Sequence, residues 1–318
     1  MIFFYILIFA LSCFILFWSG QLVVGALARV AAFLNWKEFV VAFFLVALAA
    51  SIPNLTLGIS AALKGIPELA FGDIVGGNLV DLTVAVALAA LVAKGLPSDG
   101  CTIQSTSVFA SVVAVLPILL ILDGKLGRID GAVLLLCFLF YILWLFSKEE
   151  RFRKVCDQNN NNVVKKFSVF IKDIAGIVFG LALLVFSAEG IVRSSMHFAD
   201  FFNMPLSLVG ILIVGLGNAL PETNFAIISA RKGETGMILG NLMGSVVTAA
   251  TLVLGTVALI RPIQITDFSP FAAGRIFLIS AALFFFFFVK SDKKVTKKEA
   301  VFLLILYLSF VLVELLIK

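Results

Sequence analysis

Apolar residues fall in long runs along this chain, separated by short polar joints. A membrane-spanning helix needs about 20 mostly apolar residues, because it must cross the hydrocarbon layer and satisfy its own backbone there. Ten runs meet that length. They cover residues 2–33, 38–63, 72–93, 103–122 and 129–147, then 168–198, 205–230, 238–260, 268–289 and 299–317. The joints are punctuated with turn residues, as in Gly95 to Gly100, Asn203 to Pro205 and Arg261 to Asp267. One polar stretch is longer, from Lys148 to Lys166, and includes Asn159 to Asn162. The pattern predicts an all-α membrane protein with about ten transmembrane helices. Its divisions are a first five-helix unit over 1–147, a basic loop over 148–167 and a second five-helix unit over 168–318. The first run has no charged leader and no small-residue cleavage site, so it reads as a retained helix.

The basic residues orient the spans. If the long loop is cytoplasmic, that side carries Lys37, Lys94, Lys148, Arg151, Arg153, Lys154, Lys165, Lys166, Arg231, Lys232 and the lysines between 290 and 298. The opposite side carries Lys64, Lys125, Arg128, Arg261 and Lys318. Cytoplasmic loops are the Lys/Arg-rich ones. The bias therefore predicts both termini outside the cytoplasm, in the cell (inner) membrane.

Composition narrows the function classes. Hydrophobic residues make up 62% of the 318 and charged residues 14%, against roughly 45–50% and about 25% in soluble domains. A soluble enzyme, a disordered chain and a disulfide scaffold are all poor fits. The net charge of +5 suits a lipid bilayer with anionic headgroups, and with the basic residues in loops it does not suggest nucleic acid. Cys13, Cys101, Cys137 and Cys156 show no paired spacing, and His197 is the single histidine. A zinc site or His-based triad is thus disfavoured, no cofactor is expected, and neither HExxH nor GxSxG is present.

The chain also repeats itself at an offset of 168. Under that shift Pro53 meets Pro221, Lys64-Gly65 meets Lys232-Gly233, Gly72 meets Gly240, Gly76 meets Gly244 and Thr83 meets Thr251. Five spans per unit is an odd number, so the second unit enters the membrane in the opposite sense. Inverted repeats are a common plan of secondary transporters, whose binding sites lie where equivalent helices are interrupted. Pro53 and Pro221 each remove a helical hydrogen bond and release the carbonyls of Ala49 and Gly217. The glycines at 72 and 76, and at 240 and 244, have the spacing that lets helices approach closely, and packing alone accounts for them as well as a site does.

Two acids lie deep in these runs, Asp81 in the first unit and Glu222 in the second. A carboxylate in a bilayer core costs at least about 2.5 kcal/mol on insertion scales, and such groups usually serve a function. Polar neighbours are Ser51, Asn54, Thr56 and Asn78, then Asn218, Thr223, Asn224, Ser245, Thr248 and Thr251. Carboxylates, amides, hydroxyls and freed carbonyls form an all-oxygen environment suited to hard cations. Asp73 stands at the start of its run and reads as a helix-start acid at the outer mouth, favoured by the helix dipole. Glu189 is either a further intramembrane acid or a helix-end charge. His197 reads as an interfacial side chain.

These residues resemble the α-repeats of the sodium/calcium exchanger superfamily of cation/calcium antiporters. The resemblance rests on Ser51-Ile52-Pro53-Asn54 with Gly76-Gly77-Asn78-Leu79-Val80-Asp81, and on Ala219-Leu220-Pro221-Glu222 with Gly244-Ser245-Val246-Val247-Thr248-Ala249. It implies a midplane cation site with Asn54, Asp81 and Glu222 as ligands, joined by Ser51, Asn78, Asn218 and Ser245. Ala47, Ala50, Gly215 and Asn218 stand where the family uses backbone carbonyls or hydroxyls. The first and sixth runs resemble the family's gating helices. Asn54 replaces the glutamate of the first Pro-Glu segment, and Ala249 replaces the terminal Asn or Asp of the second repeat. The expected function is secondary antiport of Ca²⁺, or a related cation, against Na⁺ or H⁺ by alternating access. The alternative is a non-transporting cation-binding relic or sensor, motivated by Asn54 and Ala249. Two carboxylates can balance one divalent cation or hold up to two protons.

Overall fold

The structure is a computed structural model that describes residues 2–33, 51–98, 101–147, 167–233, 235–265, 272–291 and 294–317. The basic loop from Lys148 to Lys166 and the beginning of the second run, with Ala47, Ala49 and Ala50, lie outside the described residues. Helix α1 is Ile2–Phe33 and α2 is Ile52–Leu63. Helix α3 runs over Pro67–Val80, passes through a π-helical turn at Asp81–Ala85 and ends with Val86–Val92. Helix α4 is Cys101–Leu120, α5 is Arg128–Ser147 and α6 is Phe167–Phe202. Helix α7 joins Leu206–Val209 to Gly215–Lys232 through a π-helical turn at Gly210–Val214. Helix α8 joins Thr235–Thr248 to Leu254–Ile260 through a π-helical turn at Ala249–Val253. Helices α9, Ala272–Ser291, and α10, Lys297–Ile317, complete the described chain.

Among the described residues, seven helices are long and apolar enough to cross a membrane: Ile2–Val23, Pro67–Val92, Ile103–Asp123, Asp173–Phe202, Leu206–Lys232, Ile238–Ile260 and Ala272–Ser291. Their burial sorts them into layers. The most apolar windows of α3 and α8 are 78% and 72% buried, whereas that of α1 is 17% buried. Helices α3 and α8 are therefore the centre. The outer helices present large apolar side chains such as Phe3, Leu7, Phe186 and Leu312 to the surroundings, as expected where lipid is the solvent.

The offset of 168 seen in the sequence also governs the element boundaries. Pro67, Asp81, Val86 and Val92 of α3 bound the same segments as Thr235, Ala249, Leu254 and Ile260 of α8. The matched Lys-Gly pairs have a local cause. Gly65 and Gly233 close α2 and α7 at φ +83° and +78°, a left-handed backbone that side-chain-bearing residues adopt at a cost.

Proline shapes two of the starts. Pro67 sits in the first turn of α3, where a missing N–H breaks no helical bond. Pro53 likewise lies in the first turn of α2, behind Ser51 as the N-cap residue. Pro221 differs from the expected interruption, since Gly215–Lys232 remains a continuous helix across it. Because proline has no N–H, the Gly217 carbonyl still lacks its ordinary helical donor.

Helices α3 and α7 cross almost backbone to backbone. A Cβ built on Gly72 would stand 2.1 Å from the Ser207 carbonyl oxygen, and one on Gly76 would stand 2.2 Å from that of Ile211. From the other side, a Cβ on Gly210 would lie 2.6 Å from the Leu69 oxygen. The first glycine pair is thus a packing device. Around Gly240 and Gly244 nothing lies within 4 Å among the described residues.

Helices α1 and α6 lie side by side. Gly180 meets Val23, Gly190 meets Ser12, and Arg29 Nε is 2.7 Å from Asp173 Oδ1. Two short antiparallel strand pairs join distant loops: Leu96 pairs with Val295 and Pro97 with Lys294, while Lys125 pairs with Gln264 and Leu126 with Ile263.

Candidate cation site at a four-helix crossing

A small cavity opens where α2, α3, α7 and α8 meet. It is lined from α3 by Asp73, Ile74, Gly77, Asn78 and Asp81, and from α7 by Asn218, Ala219 and Glu222. Helix α2 contributes Asn54, and α8 contributes Ser245 and Ala249. The α3 residues recur at the spacing of one helical face over two turns, as do those of α7 and α8 over one. The void is about the size of one water molecule or bare cation. An occupant would therefore sit without most of its hydration shell, with protein oxygens in its place.

Asp81 is 3% exposed, and its Oδ1 has no hydrogen-bond partner. Glu222 Oε2 is likewise buried without a partner. Unpaired buried carboxylate oxygens are costly unless something binds them. Ser245 lies within hydrogen-bonding reach of the Asp81 carboxylate, and the Asp81 and Glu222 charges are close enough to interact. No group of three or more His, Cys, Asp or Glu side chains is arranged as a metal cage among the described residues. A cation here would need amide, hydroxyl and carbonyl oxygens beside the acids, a donor set that suits Na⁺ and Ca²⁺.

Six of the seven residues expected from sequence line this cavity: Asn54, Asn78, Asp81, Asn218, Glu222 and Ser245. The seventh, Ser51, is buried at the N-cap of α2 and is not part of the lining. Several threonines expected nearby are turned to their own helices. Thr56, Thr223, Thr248 and Thr251 donate to the carbonyls of Ile52, Ala219, Gly244 and Val247 at 2.8, 2.9, 2.8 and 2.6 Å. Asn224 is exposed.

Asp73 corrects the sequence reading. It is not a helix-start acid at an outer mouth; it lies in the middle of Pro67–Val80 and is 2% exposed. The Asn218 amide donates through Nδ2 to its two carboxylate oxygens, at 3.3 Å to Oδ1 and 3.2 Å to Oδ2. Pro67 was the signal that could have placed it, because proline favours the first turn of a helix. Starting α3 there moves Asp73 from the mouth to the interior.

Glu189 lies outside the cavity. Its carboxylate pairs with Lys64 at the end of α2 and with Arg193 one turn further along α6, at 2.5 Å from Arg193 Nε. His197 stacks on Tyr5, with ring centroids 3.8 Å apart. Helix α1 touches both neighbours of the site. A Cβ on Gly20 would stand 2.7 Å from Pro53 Cγ, and one on Gly217 would stand 3.3 Å from Phe9 and 3.4 Å from Cys13 Sγ. Pro53 and Gly217 immediately precede Asn54 and Asn218.

Comparison with known proteins adds context to this geometry. A sequence profile described as "Sodium/calcium exchanger protein" matches residues 4–147 and 172–316. CaxA of Alkalimonas amylolytica, described as a candidate antiporter, is 27% identical over 256 residues, covering 78% of each chain. The sodium/calcium exchanger MaX1 of Methanosarcina acetivorans is 24% identical over 328 residues, covering 91% of this chain and 92% of that one. The crystal structure of the H⁺/Ca²⁺ exchanger CAX superposes with a TM-score of 0.77 at 19% identity, covering 98% of this chain and 84% of the other. At that identity the likeness speaks for the fold.

Proposed function

The chain belongs to the sodium/calcium exchanger family of integral membrane cation antiporters, and from that premise we propose that it exchanges Ca²⁺, or a closely related cation, for Na⁺ or H⁺. The observation that carries this reading is the cavity with its unpaired Asp81 and Glu222 oxygens, enclosed by α2, α3, α7 and α8. Asn54, Asp81 and Glu222 are the proposed principal ligands. Asn78, Asn218 and Ser245 supply neutral oxygens, and Ser51 stands at the N-cap of α2.

The electrostatics of the site couple the two ions. Buried carboxylates without counter-charge are expensive to hold in a low-dielectric interior. A loaded site is nearly neutral and can pass between inward- and outward-facing states, whereas an empty one resists the change. Cations then cross in exchange for one another. The α1–α6 pair is the proposed moving element, because α1 bears on Pro53 and Gly217 beside two site residues. In this reading the chain forms ten spans in two inverted five-helix repeats, 1–147 and 168–318, with a cytoplasmic loop over 148–167. Both termini lie outside the cytoplasm, and the membrane is the cell (inner) membrane.

Asn54 and Ala249 motivate the reading of a non-transporting relic. The cavity nevertheless retains acids from both halves of the chain, and antiport is the better reading.

The deciding experiment is Ca²⁺ flux into proteoliposomes under an imposed Na⁺ gradient and, separately, under a pH gradient. Antiport predicts uptake driven by one of these gradients and lost in Glu222→Gln. Saturable cation binding with no flux under either gradient would overturn it.

A further inference from the structure

The arrangement of Asp73, Asn218 and Asn54 supports one step more, which rests on the cation-exchange reading of the cavity. We infer that Asp73 is a relocated third carboxylate of the site, supplying the negative charge that Asn54 lacks and aiming the Asn218 carbonyl oxygen into the cavity. Asp73 and Asn54 line the same void from different helices, α3 and α2. Asp73 is 2% exposed, so water screens its charge little. It lies close enough to Glu222 for the two charges to repel when nothing is bound between them. The buried, partnerless oxygens of Asp81 and Glu222 are a second observation that points to a ligand at this lining.

Asp73 is not drawn into a tight three-acid cage with Asp81, since no such cage exists among the described residues. The two acids lie eight residues apart on α3, a rise of about 12 Å along the axis. Asp73 therefore acts at two ranges. Through space, a full charge as far as about 12 Å from a divalent ion held beside Asp81, at an effective dielectric near 20, changes its affinity by about a hundredfold. Through contact, an ionised carboxylate only accepts hydrogen bonds. It holds Nδ2 of Asn218, and the amide oxygen Oδ1 is left free for the ion. Asp73 is thus a specificity-determining and positioning residue.

The test is Ca²⁺ titration of the full-length protein in detergent, read by equilibrium binding and by Ca²⁺-dependent thermal shift. The chains compared are wild type, Asp73→Asn, Asp73→Glu, Glu222→Gln and the double variant Asp73→Asn with Asn54→Glu. Asp73→Asn preserves shape and removes only the charge, so it should fold while losing at least about tenfold in Ca²⁺ affinity. Asp73→Glu should lose less. The double variant should recover most of the loss, because it returns a carboxylate to the cavity from α2. A merely structural role for Asp73 would not produce that rescue.

Wild-type affinity in Asp73→Asn, or no recovery in the double variant, would overturn the inference. If Glu222→Gln abolishes binding while Asp73→Asn binds as wild type, the inference fails and the exchange reading stands. If wild type itself binds no Ca²⁺, both fall.

Discussion

Asn218 and Asp73, on different helices, are joined across the cavity by one amide nitrogen that reaches both oxygens of one carboxylate, at 3.3 and 3.2 Å. The contact is buried on the Asp73 side. Removing the donor leaves an acid in the interior without a partner, which costs about 1–3 kcal/mol, and more for a charged group. Asn218→Ala should therefore melt earlier in the absence of cations. Part of the loss should return when Ca²⁺ is added, since the ion supplies the missing counter-charge. Thermal melting of detergent-solubilised protein with and without Ca²⁺ checks this. An unchanged melting temperature would remove Asn218 from the account.

The acids carry the transport prediction. Asp81→Asn and Glu222→Gln keep shape and remove charge at the two buried carboxylates with unpaired oxygens. Each should reduce counter-ion-driven Ca²⁺ flux about a hundredfold or more, the size of effect expected when a close charge is lost from a weakly screened cation site. Ala249→Asn, which adds an oxygen ligand to the same wall, should retain flux. Reconstituted transport assays with protein quantified in the vesicles distinguish these outcomes.

The crossing of α3 and α7 tolerates no side-chain growth. Gly76→Ala would force a methyl group to within 2.2 Å of the Ile211 carbonyl oxygen, and Gly210→Ala would force one to within 2.6 Å of the Leu69 oxygen. Both clashes are with backbone, which cannot rotate away. Each should destabilise the protein by about 1–3 kcal/mol or more and reduce the yield of monodisperse protein in size-exclusion chromatography.

Glu189 makes a different prediction, because its partners belong to two helices. Lys64 is on the end of α2 and Arg193 is on α6 itself. Its side chain is 32% exposed, so the link is worth no more than about 1 kcal/mol. Glu189→Gln should change stability little. If α6 moves against α2 during transport, the same change should alter maximal flux by about two- to fivefold, in keeping with that energy, and leave the Ca²⁺ concentration for half-maximal flux unaltered. A shift in that concentration instead would place Glu189 in the site.

The sequence made much of this arrangement legible, through residues whose chemistry is local. Gly65 and Gly233 match because both end helices with a left-handed backbone. Asp81 and Glu222 stand out because charge is rare in apolar runs. The misreading of Asp73 came from a helix boundary. Apolar periodicity locates the middle of a span, while its first turn depends on caps and prolines, and Pro67 moved the start of α3 several residues earlier. The threonines could not be sorted from sequence, because a hydroxyl in a helix can face a cavity or bond back to its own carbonyl. Only neighbouring helices decide between the two. The π-helical turns at Asp81, Gly210 and Ala249 left no signature in composition.

The two strand pairs bear on how such a chain can be made. Leu96 and Leu126 in the first half take their partners, Val295 and Ile263, from the second. During synthesis α1 to α5 are made before the segments that close their loops exist. The halves consequently mature together, each serving as part of the other's scaffold. A chain severed between residues 148 and 166 should yield fragments that degrade when made singly and recover a joint melting transition when made in the same cell.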